Sequence, residues 1–186
     1  MRETLASLVE DFRRNAGETA VVAHWGNRRY ATTYGELAGI AGRFAAELER
    51  RGIGPGERVV LWGENSSEWI GVFFGCVLRG VLVVPLDAAG AAEFAGRVIA
   101  DVGARLIVGD RKLVDLLATD VPVILLGAEL ALHPLFAVSP AVTPEAAFQI
   151  VFTSGTTSEP KGVVHTHRNV LASLGPIEDG IAKYRR

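Results

Sequence analysis

The residues best suited to chemistry lie close together between positions 150 and 169. A short apolar run at 150–152 is followed by a row of small residues: Thr153, Ser154, Gly155, Thr156 and Thr157. Lys161 comes shortly after them. Small side chains allow backbone N–H groups to approach phosphate oxygens closely, while hydroxyls add donors and lysine adds a mobile positive charge. The stretch therefore predicts a loop that binds a polyanion, and a plain polar connection between two strands is the simpler alternative.

The spacing around the lysine argues against the P-loop of nucleoside triphosphatases. That motif has glycine directly before the lysine and serine or threonine directly after it. Here Pro160 precedes Lys161 and Gly162 follows it. A kinase or another P-loop phosphotransferase is therefore disfavoured.

The stretch resembles the phosphate loop of the AMP-forming adenylating enzymes, which include acyl-CoA synthetases, adenylation domains of peptide synthetases and luciferases. In that family a row of serine, threonine and glycine precedes Pro-Lys-Gly-Val, and Thr-His-x-Asn comes soon after. The matching residues here are 153–157, 160–163, Thr166, His167 and Asn169. Ser158 departs from the pattern, since the family usually has glycine there; a position requiring positive φ would make serine cost about 1 kcal/mol. The resemblance places the phosphate loop at residues 153–162.

Three earlier stretches also resemble the family and occur in its order. They are the connection at 52–59, the segment Asn65-Ser66-Ser67-Glu68-Trp69, and the glycine-to-leucine run at 80–86. Each match is weak alone. In the correct order before the phosphate loop, they support membership of the family together.

The resemblance implies an activity and a set of binding residues. The parent enzyme would activate a carboxylic acid with ATP and Mg²⁺, forming an acyl adenylate and pyrophosphate, and would then pass the acyl group to a thiol such as coenzyme A. Thr153, Ser154, Gly155, Thr156 and Thr157 would bind the β- and γ-phosphates. Lys161 would neutralise charge on the departing pyrophosphate and is the one catalytic candidate. The stretches 62–87 and 163–169 favour a long-chain acyl-CoA synthetase, while peptide-synthetase adenylation domains and small aryl acids stay open.

Complete members of that family continue well beyond position 186. We therefore expect residues 1–186 to form a single α/β subdomain, the N-terminal part of the adenylating-enzyme fold, and to be inactive alone. Exposed apolar surface at the missing interface would then promote self-association. The competing hypothesis is a non-catalytic, degenerate homologue that binds nucleotide or a partner protein, and Ser158 favours it.

The hydrophobic pattern predicts an α/β fold with a doubly wound, mostly parallel sheet and helices on both faces. Strand and helix patterns alternate with short connections. Helices are predicted at 3–15, from the capping box of Thr33 and Glu36 to about 51, and at 68–78, 91–102 and 112–118, with another from 168. Strands are predicted at 19–24, 29–32, 58–62, 81–86, 105–108, 121–126 and 150–152, and an irregular connection at 129–145.

Composition limits the class of protein further. A formal charge of −2 gives no electrostatic case for binding nucleic acid or an anionic membrane. The longest apolar region, 69–86, is interrupted by Arg79-Gly80 and is predicted to be a buried helix and strand instead of a membrane span. The N-terminus lacks a signal-peptide pattern. The single cysteine, Cys76, is predicted to be buried in a reducing compartment, so we expect a cytoplasmic protein.

The two histidines after the loop could belong to one strand face. His165 and His167 are two positions apart, which is the spacing of side chains on the same side of a strand. A metal site is disfavoured because no third ligand is visible at a suitable spacing. The alternative for His167 is packing or hydrogen bonding beneath the loop, with Arg168 and Asn169 beginning a helix.

Overall fold

The computed structural model describes residues 2–26, 28–127, 142–153 and 161–184. The strands within these ranges are β1 Thr19–Trp25, β2 Arg28–Thr33, β3 Arg58–Trp62, β4 Leu82–Leu86, β5 Leu106–Gly109, β6 Val123–Leu125, β7 Ala147–Thr153 and β8 Lys161–Thr166. The helices are α1 Ser7–Arg14, α2 Tyr34–Arg50, α3 Ser67–Arg79, α4 Ala92–Val102, α5 Arg111–Val114 and α6 His167–Tyr184.

The main sheet has six strands in the order β6-β5-β3-β4-β7-β8, and β1 and β2 form a separate antiparallel hairpin. Strands β3 to β7 run parallel to one another, whereas β8 returns antiparallel to β7 at the edge of the sheet. The predicted mostly parallel sheet is confirmed. Its antiparallel edge strand follows from the short connection between β7 and β8, because a helical crossover would need many more residues.

Both faces of the sheet are covered, as the alternation along β3 shows. Val59 and Leu61 pack on one face with Phe44 of α2 and Val72 of α3. Val60 and Trp62 pack on the other face, in a cluster that includes α4 and α5. A strand buried on both sides is apolar throughout instead of alternating, which is why β3 and β4 are nearly continuous runs of valine and leucine.

Side-chain caps fix the beginnings of the two long central helices. At α2, Thr33 Oγ1 accepts the Glu36 N–H at 3.2 Å, and Glu36 Oε2 accepts the Thr33 N–H at 2.7 Å. This reciprocal pair is the predicted capping box. At α3, Ser66 Oγ accepts the Trp69 N–H at 3.0 Å. Gly80 ends α3 with φ of 66°, a left-handed conformation that glycine adopts without steric cost.

Several element boundaries differ from the predictions. α1 begins at Ser7 instead of position 3, because Thr4, Leu5 and Ala6 form a turn whose carbonyls accept the N–H groups of the first helical residues. α5 is one turn long and ends before Leu116, which is 63% exposed. β6 is likewise shorter than predicted. Most of the predicted connection at 129–145 lies outside the described residues.

Two further expectations concern burial and membranes. Cys76 is buried in the core, as predicted, and burial raises the pKa of its thiol. Within the described part of the chain, no helix combines the length and the apolar character needed to cross a membrane.

Candidate functional site

The carboxyl ends of the parallel strands converge at one edge of the sheet. From this edge, β3 leads to α3 on one face, whereas β4 leads to α4 on the opposite face. Adjacent strands whose connections leave in opposite directions create a crevice outside the sheet, where open α/β folds bind their ligands. The predicted phosphate loop follows β7, the neighbour of β4, and therefore begins at this same edge.

The β7–β8 hairpin brings the two ends of the predicted phosphate loop together. Thr153 is the last residue of β7 and pairs across the antiparallel ladder with Lys161, the first residue of β8. The Lys161 side chain is exposed. Hairpin pairing therefore holds the lysine beside the start of the hydroxyl row, although the two positions are separated by a complete loop in sequence.

The remaining loop residues singled out from the sequence lie outside the described residues. These are Ser154, Gly155, Thr156 and Thr157, together with Ser158. The side chain of Thr153 is also not described. Their role in binding phosphate therefore stays a prediction, and so does that of Lys161.

Gly162, beside the lysine, has a packing reason to be glycine. A Cβ at this position would come within 2.9 Å of Ile150 Cγ2 and 3.0 Å of Phe152 Cζ. Gly162 therefore lies directly against the side chains of β7. A larger residue at this position would crowd the side chains of Ile150 and Phe152 just below the loop.

Hydrogen bonds at the base of the hairpin explain part of the Thr-His-x-Asn pattern. Asn169 Oδ1 accepts the Thr166 N–H at 2.9 Å and also contacts the Thr166 hydroxyl. In return, Thr166 Oγ1 accepts the Asn169 N–H at 3.2 Å. The two side chains satisfy N–H groups at the beginning of α6 in the manner of a capping box. Thr166 and Asn169 therefore connect β8 to α6, which begins at His167, one residue before the predicted start at 168.

His167 is the buried residue at this junction, and the predicted shared strand face with His165 is wrong. His165 lies in β8, but His167 is the first residue of α6, so the strand period ends between them. The ring of His167 is fully buried and stacks on Phe148 at a centroid distance of 5.1 Å. Its Nδ1 accepts the Leu5 N–H at 3.2 Å. The alternative prediction, a packing and hydrogen-bonding role, is the one confirmed.

The environment of His167 favours the neutral imidazole. Burial lowers the pKa of His167, because a charged ring would lose its hydration. Since Nδ1 accepts a hydrogen bond, the proton of the neutral ring is on Nε2. Nε2 is buried and has no partner among the described residues. Such an unpaired donor costs roughly 1–3 kcal/mol, which an apolar ring at this position would avoid.

Asp87 is a carboxyl-edge residue that the sequence analysis did not single out. It follows β4 directly, and both Asp87 and Thr153 lie four residues beyond the paired Val83 and Gln149. The Trp62 indole donates to the Asp87 carbonyl at 2.9 Å, which fixes this loop to the sheet. In the sequence, Asp87 could have been noticed because it is an acidic residue directly after a predicted central parallel strand.

A second polar cleft lies at the same edge, between the ends of β3, β5 and β6. It has a volume of about 560 Å³ and is lined by residues that include Glu64, Asp110 and Lys112. Asp110 Oδ2 accepts the Glu64 N–H at 2.8 Å, and Lys112 pairs with the Glu64 carboxylate, which raises the pKa of Lys112. Within the cleft, Lys112 neutralises the Glu64 carboxylate, and Asp110 is held by its hydrogen bond from the Glu64 N–H. In the described ranges, no cluster of three or more histidine, cysteine or acidic residues could hold a metal ion.

Comparison with known proteins identifies the family. Residues 8–184 match the family of AMP-binding enzymes. The chain therefore belongs to that family, whose characterised members are AMP-forming ligases, and the match extends across both the sheet and the hairpin that carries the predicted phosphate loop.

Curated relatives include acyl ligases and peptide synthetases. The chain is 30% identical over 160 residues to the fatty acid–[acyl-carrier-protein] ligase ScoC of Streptomyces coeruleorubidus, covering 81% of this chain and 30% of that protein. It is 34% identical over 151 residues to the long-chain-fatty-acid–CoA ligase FadD13 of Mycobacterium tuberculosis, covering 74% and 30%. It is 33% identical over 147 residues to tyrocidine synthase 3 of Brevibacillus parabrevis, covering 76% and 2%. The chain thus spans less than a third of each of these proteins.

Solved structures share the fold. A complex of VinN with 3-methylaspartate superposes with a TM-score of 0.83 at 29% identity, covering 96% of this chain and 52% of VinN. The AMPPNP-bound form of the nonribosomal peptide synthetase FmoA3 has a TM-score of 0.77 at 28% identity, covering 90% and 18%. The fold is therefore that of the N-terminal subdomain of adenylating enzymes.

Proposed function

We propose that this chain is the N-terminal, triphosphate-binding part of an ATP-dependent, AMP-forming carboxylic acid ligase. The observation that carries the proposal is the pairing of Thr153 with Lys161 at the carboxyl edge of the sheet, in a chain of the AMP-binding enzyme family. The hairpin holds one lysine beside a row of hydroxyl and glycine residues. That combination suits the charge and the hydrogen-bonding capacity of a polyphosphate.

The proposed roles follow the chemistry of each residue type. Backbone N–H groups and hydroxyls of Thr153, Ser154, Gly155, Thr156 and Thr157 bind the β- and γ-phosphates. Lys161, the one catalytic candidate, neutralises the charge that develops on the leaving pyrophosphate, since groups placed where charge forms lower the barrier most. Mg²⁺ bound to ATP supplies further charge neutralisation.

The overall reaction has two steps. A carboxylate oxygen attacks the α-phosphorus of ATP, forming the acyl–phosphate bond of an acyl adenylate while the bond to pyrophosphate breaks. A thiol then takes the acyl group and releases AMP. The first nucleophile is already an anion, so it needs no general base.

Among the ligases, we favour an acyl-CoA synthetase of the long-chain type, with coenzyme A as the acceptor thiol. The match to FadD13 supports this assignment. The matches to ScoC and to tyrocidine synthase 3 keep a carrier-protein thiol as the competing acceptor. The two acceptors can be distinguished on a full-length protein that contains this chain. The measurement is release of AMP that depends on the fatty acid, with coenzyme A and a carrier protein supplied in turn.

The second candidate function is a non-catalytic module that binds nucleotide or a partner protein. The observation that favours it is Ser158, at a loop position where the family usually has glycine. In a full-length context, Lys161→Ala separates the two functions: loss of turnover with the fold intact supports the enzyme, and no effect on turnover would remove the role assigned to Lys161.

Lys161→Ala also tests triphosphate binding directly. We expect it to weaken MgATP binding by about tenfold or more, because a charge-assisted hydrogen bond contributes roughly 1.5–3 kcal/mol. Isothermal titration of the purified chain with MgATP measures the change. Lys183→Ala, an exposed lysine at the far end of α6, is the matched control and should bind as the wild type does. Equal affinity in the Lys161 and Lys183 variants would remove the role assigned to Lys161.

We further propose that the isolated chain self-associates. Val163 and Val164 of the edge strand β8 are about half exposed, and so are Ile177 and Ile181 of α6. Apolar groups left in water at the open side of a sheet favour association. A monodisperse monomer in light scattering would contradict this proposal.

A further inference from the structure

Packing at position 167 does not require an imidazole ring. A phenylalanine would stack on Phe148 equally well and would leave no buried donor unpaired. The imidazole instead leaves Nε2 without a partner among the described residues, and its Nδ1 accepts a single hydrogen bond from the Leu5 N–H. That bond spans 162 positions in sequence and is a long-range polar link between the N-terminal segment, residues 2–6, and the start of α6.

The junction around His167 is the base of the hairpin that carries the predicted phosphate loop. The His167 N–H donates to the Ala146 carbonyl at 3.2 Å, and the Arg168 N–H donates to the Pro144 carbonyl at 2.8 Å. Phe148, beneath the imidazole, belongs to β7. His167 therefore contacts β7, directly follows β8, begins α6 and binds the N-terminal segment.

Leu5 seals the same junction from the other side. Its side chain is 5% exposed and packs with Val77 of α3 and with Phe148. Leu171 and Leu174 of α6 border this cluster and also line a cleft of about 470 Å³ beside Arg2 and Glu3.

We propose that His167 is a positioning residue, whose neutral imidazole ties the N-terminal segment to the base of the β7–β8 hairpin and so positions Thr153 and Lys161, between which the predicted phosphate loop lies. The effect on the loop rests on the proposed function, whereas the tie between Leu5 and the hairpin does not. A protonated Nδ1 cannot accept the Leu5 N–H, so the tie is lost when His167 is charged.

Charged groups nearby do not account for the state of His167. Burial alone lowers its pKa from the usual value of 6.5. The charged residues on the elements around the ring are Arg2, Glu3, Glu10, Asp11, Arg13, Arg14, Glu68, Arg79, Glu145, Lys161, His165, Arg168 and Lys183. Arg2 pairs with Asp11, Arg79 with Glu49, and Arg168 with Glu145. The tie is therefore complete at neutral pH and lost in acid, below the usual histidine pKa.

Two substitutions separate the acceptor from the ring. His167→Asn keeps an acceptor atom near the position of Nδ1, does not titrate, and loses the stacking on Phe148. His167→Phe keeps the stacking and loses the acceptor. His165→Asn, in the same hairpin, is the control for a histidine that has no hydrogen bond to Leu5 among the described contacts. All variants are made in the whole chain.

The measurement is hydrogen exchange of the Leu5 amide and of the β7 amides by NMR between pH 5 and 8, each divided by the rate expected for an unstructured peptide. In the wild type and in His165→Asn, we expect protection of Leu5 to fall about fivefold or more as the pH falls through the pKa of His167, which burial lowers from 6.5, because one hydrogen bond is then lost. His167→Asn should show no such step, and His167→Phe should lack the protection at every pH. Equal protection of Leu5 in the wild type and in His167→Phe would overturn the proposal.

Affinity for MgATP, measured on the same samples, connects the tie to the loop. We expect it to weaken along with Leu5 protection in the wild type, and to be pH-independent across this step in His167→Asn. Affinity that is unchanged while Leu5 protection is lost would overturn the positioning role. Absence of MgATP binding by the wild type at every pH would count against the proposed function instead, and the exchange of the β7 amides would still decide whether His167 holds the hairpin.

Discussion

Residues that belong to one sequence motif have different roles in the structure. In the Thr-His-x-Asn pattern, Thr166 and Asn169 cap α6 reciprocally, while His167 is buried beneath the hairpin. These three residues lie at the base of the hairpin, at the opposite end of β8 from the carboxyl edge. Their spacing is explained by the change from strand to helix, and only Lys161 and the preceding hydroxyl row remain as candidates for contact with phosphate.

One buried carboxylate, far from the candidate site, makes the stability of the fold depend on pH. Glu47 on α2 is 5% exposed and accepts hydrogen bonds from Arg50 at 2.8 and 2.7 Å and from Arg51 at 2.6 Å. The Arg50 hydrogen bond is the largest cause that lowers the pKa of Glu47 to about 2. The ionised carboxylate therefore favours the folded state.

We expect the contribution of Glu47 to the free energy of unfolding to be complete above about pH 4.5, the ordinary value, and to be lost as the pH falls toward 2. Glu47→Gln should flatten the acid limb of the stability profile. Urea unfolding between pH 2 and 7 measures this, with Glu93→Gln, an exposed carboxylate in the first turn of α4, as the control. An acid limb of unchanged slope in Glu47→Gln would contradict the assignment.

At the scale of elements, α2 and α3 approach each other closely because glycines lie between them. A Cβ on Gly71 would come within 2.3 Å of Ile40 Cγ2, and a Cβ on Gly75 would come within 2.9 Å of the Ala41 carbonyl oxygen and of Phe44 Cβ. Backbone cannot yield as a flexible side chain can. This helix pair covers one face of the sheet, so its spacing sets the position of β3 and β4 beneath it.

Gly75→Ala should therefore destabilise the chain by about 1–3 kcal/mol, the usual cost of overpacking, despite the better helix propensity of alanine. Gly96→Ala in α4 is the matched control. No atom lies within 4 Å of a Cβ at Gly96, and its position is exposed. That variant should gain about 0.5–1 kcal/mol. Thermal unfolding of both variants measures the two changes in stability. If both variants were stabilised, or both destabilised, the close approach of α2 and α3 would not explain the effect of Gly75→Ala.

At the scale of the whole molecule, the chain is an α/β unit whose predicted ligand site lies at the carboxyl edge of the sheet. It spans 30% of the length of FadD13 and 52% of that of VinN. The described residues bring the ends of the predicted phosphate loop to the carboxyl edge, beside Asp87. We propose that the groups binding adenine, the acyl chain and the thiol are supplied by a longer protein.

The chain alone should therefore bind MgATP without catalysing adenylation. Exchange of labelled pyrophosphate into ATP, dependent on a carboxylic acid, is the measurement, with fatty acids of several lengths as the acids. We expect no exchange above the rate without protein. Acid-dependent exchange by the purified chain would show that residues 1–186 contain a complete site.

Much of the fold could be predicted from local pattern. The capping box at Thr33 and Glu36, the cap at Ser66 and the bounds of β3 follow from short-range chemistry: a side chain and the N–H groups three residues on, or a run of β-branched residues. Such signals are complete within a few positions. The same holds for the phosphate-loop pattern and for the family that it indicates.

Tertiary structure decided the features that depend on distant partners. No local pattern indicated that β7 would lie beside β4, which brings Asp87 level with Thr153. The period of two placed His165 and His167 on one strand face, but α6 begins at His167 because Thr166 and Asn169 cap it and because the core provides Phe148 and the Leu5 N–H. Periodicity records which residues avoid water, whereas the identity of the partner that covers each one is settled only when segments far apart in sequence pack together.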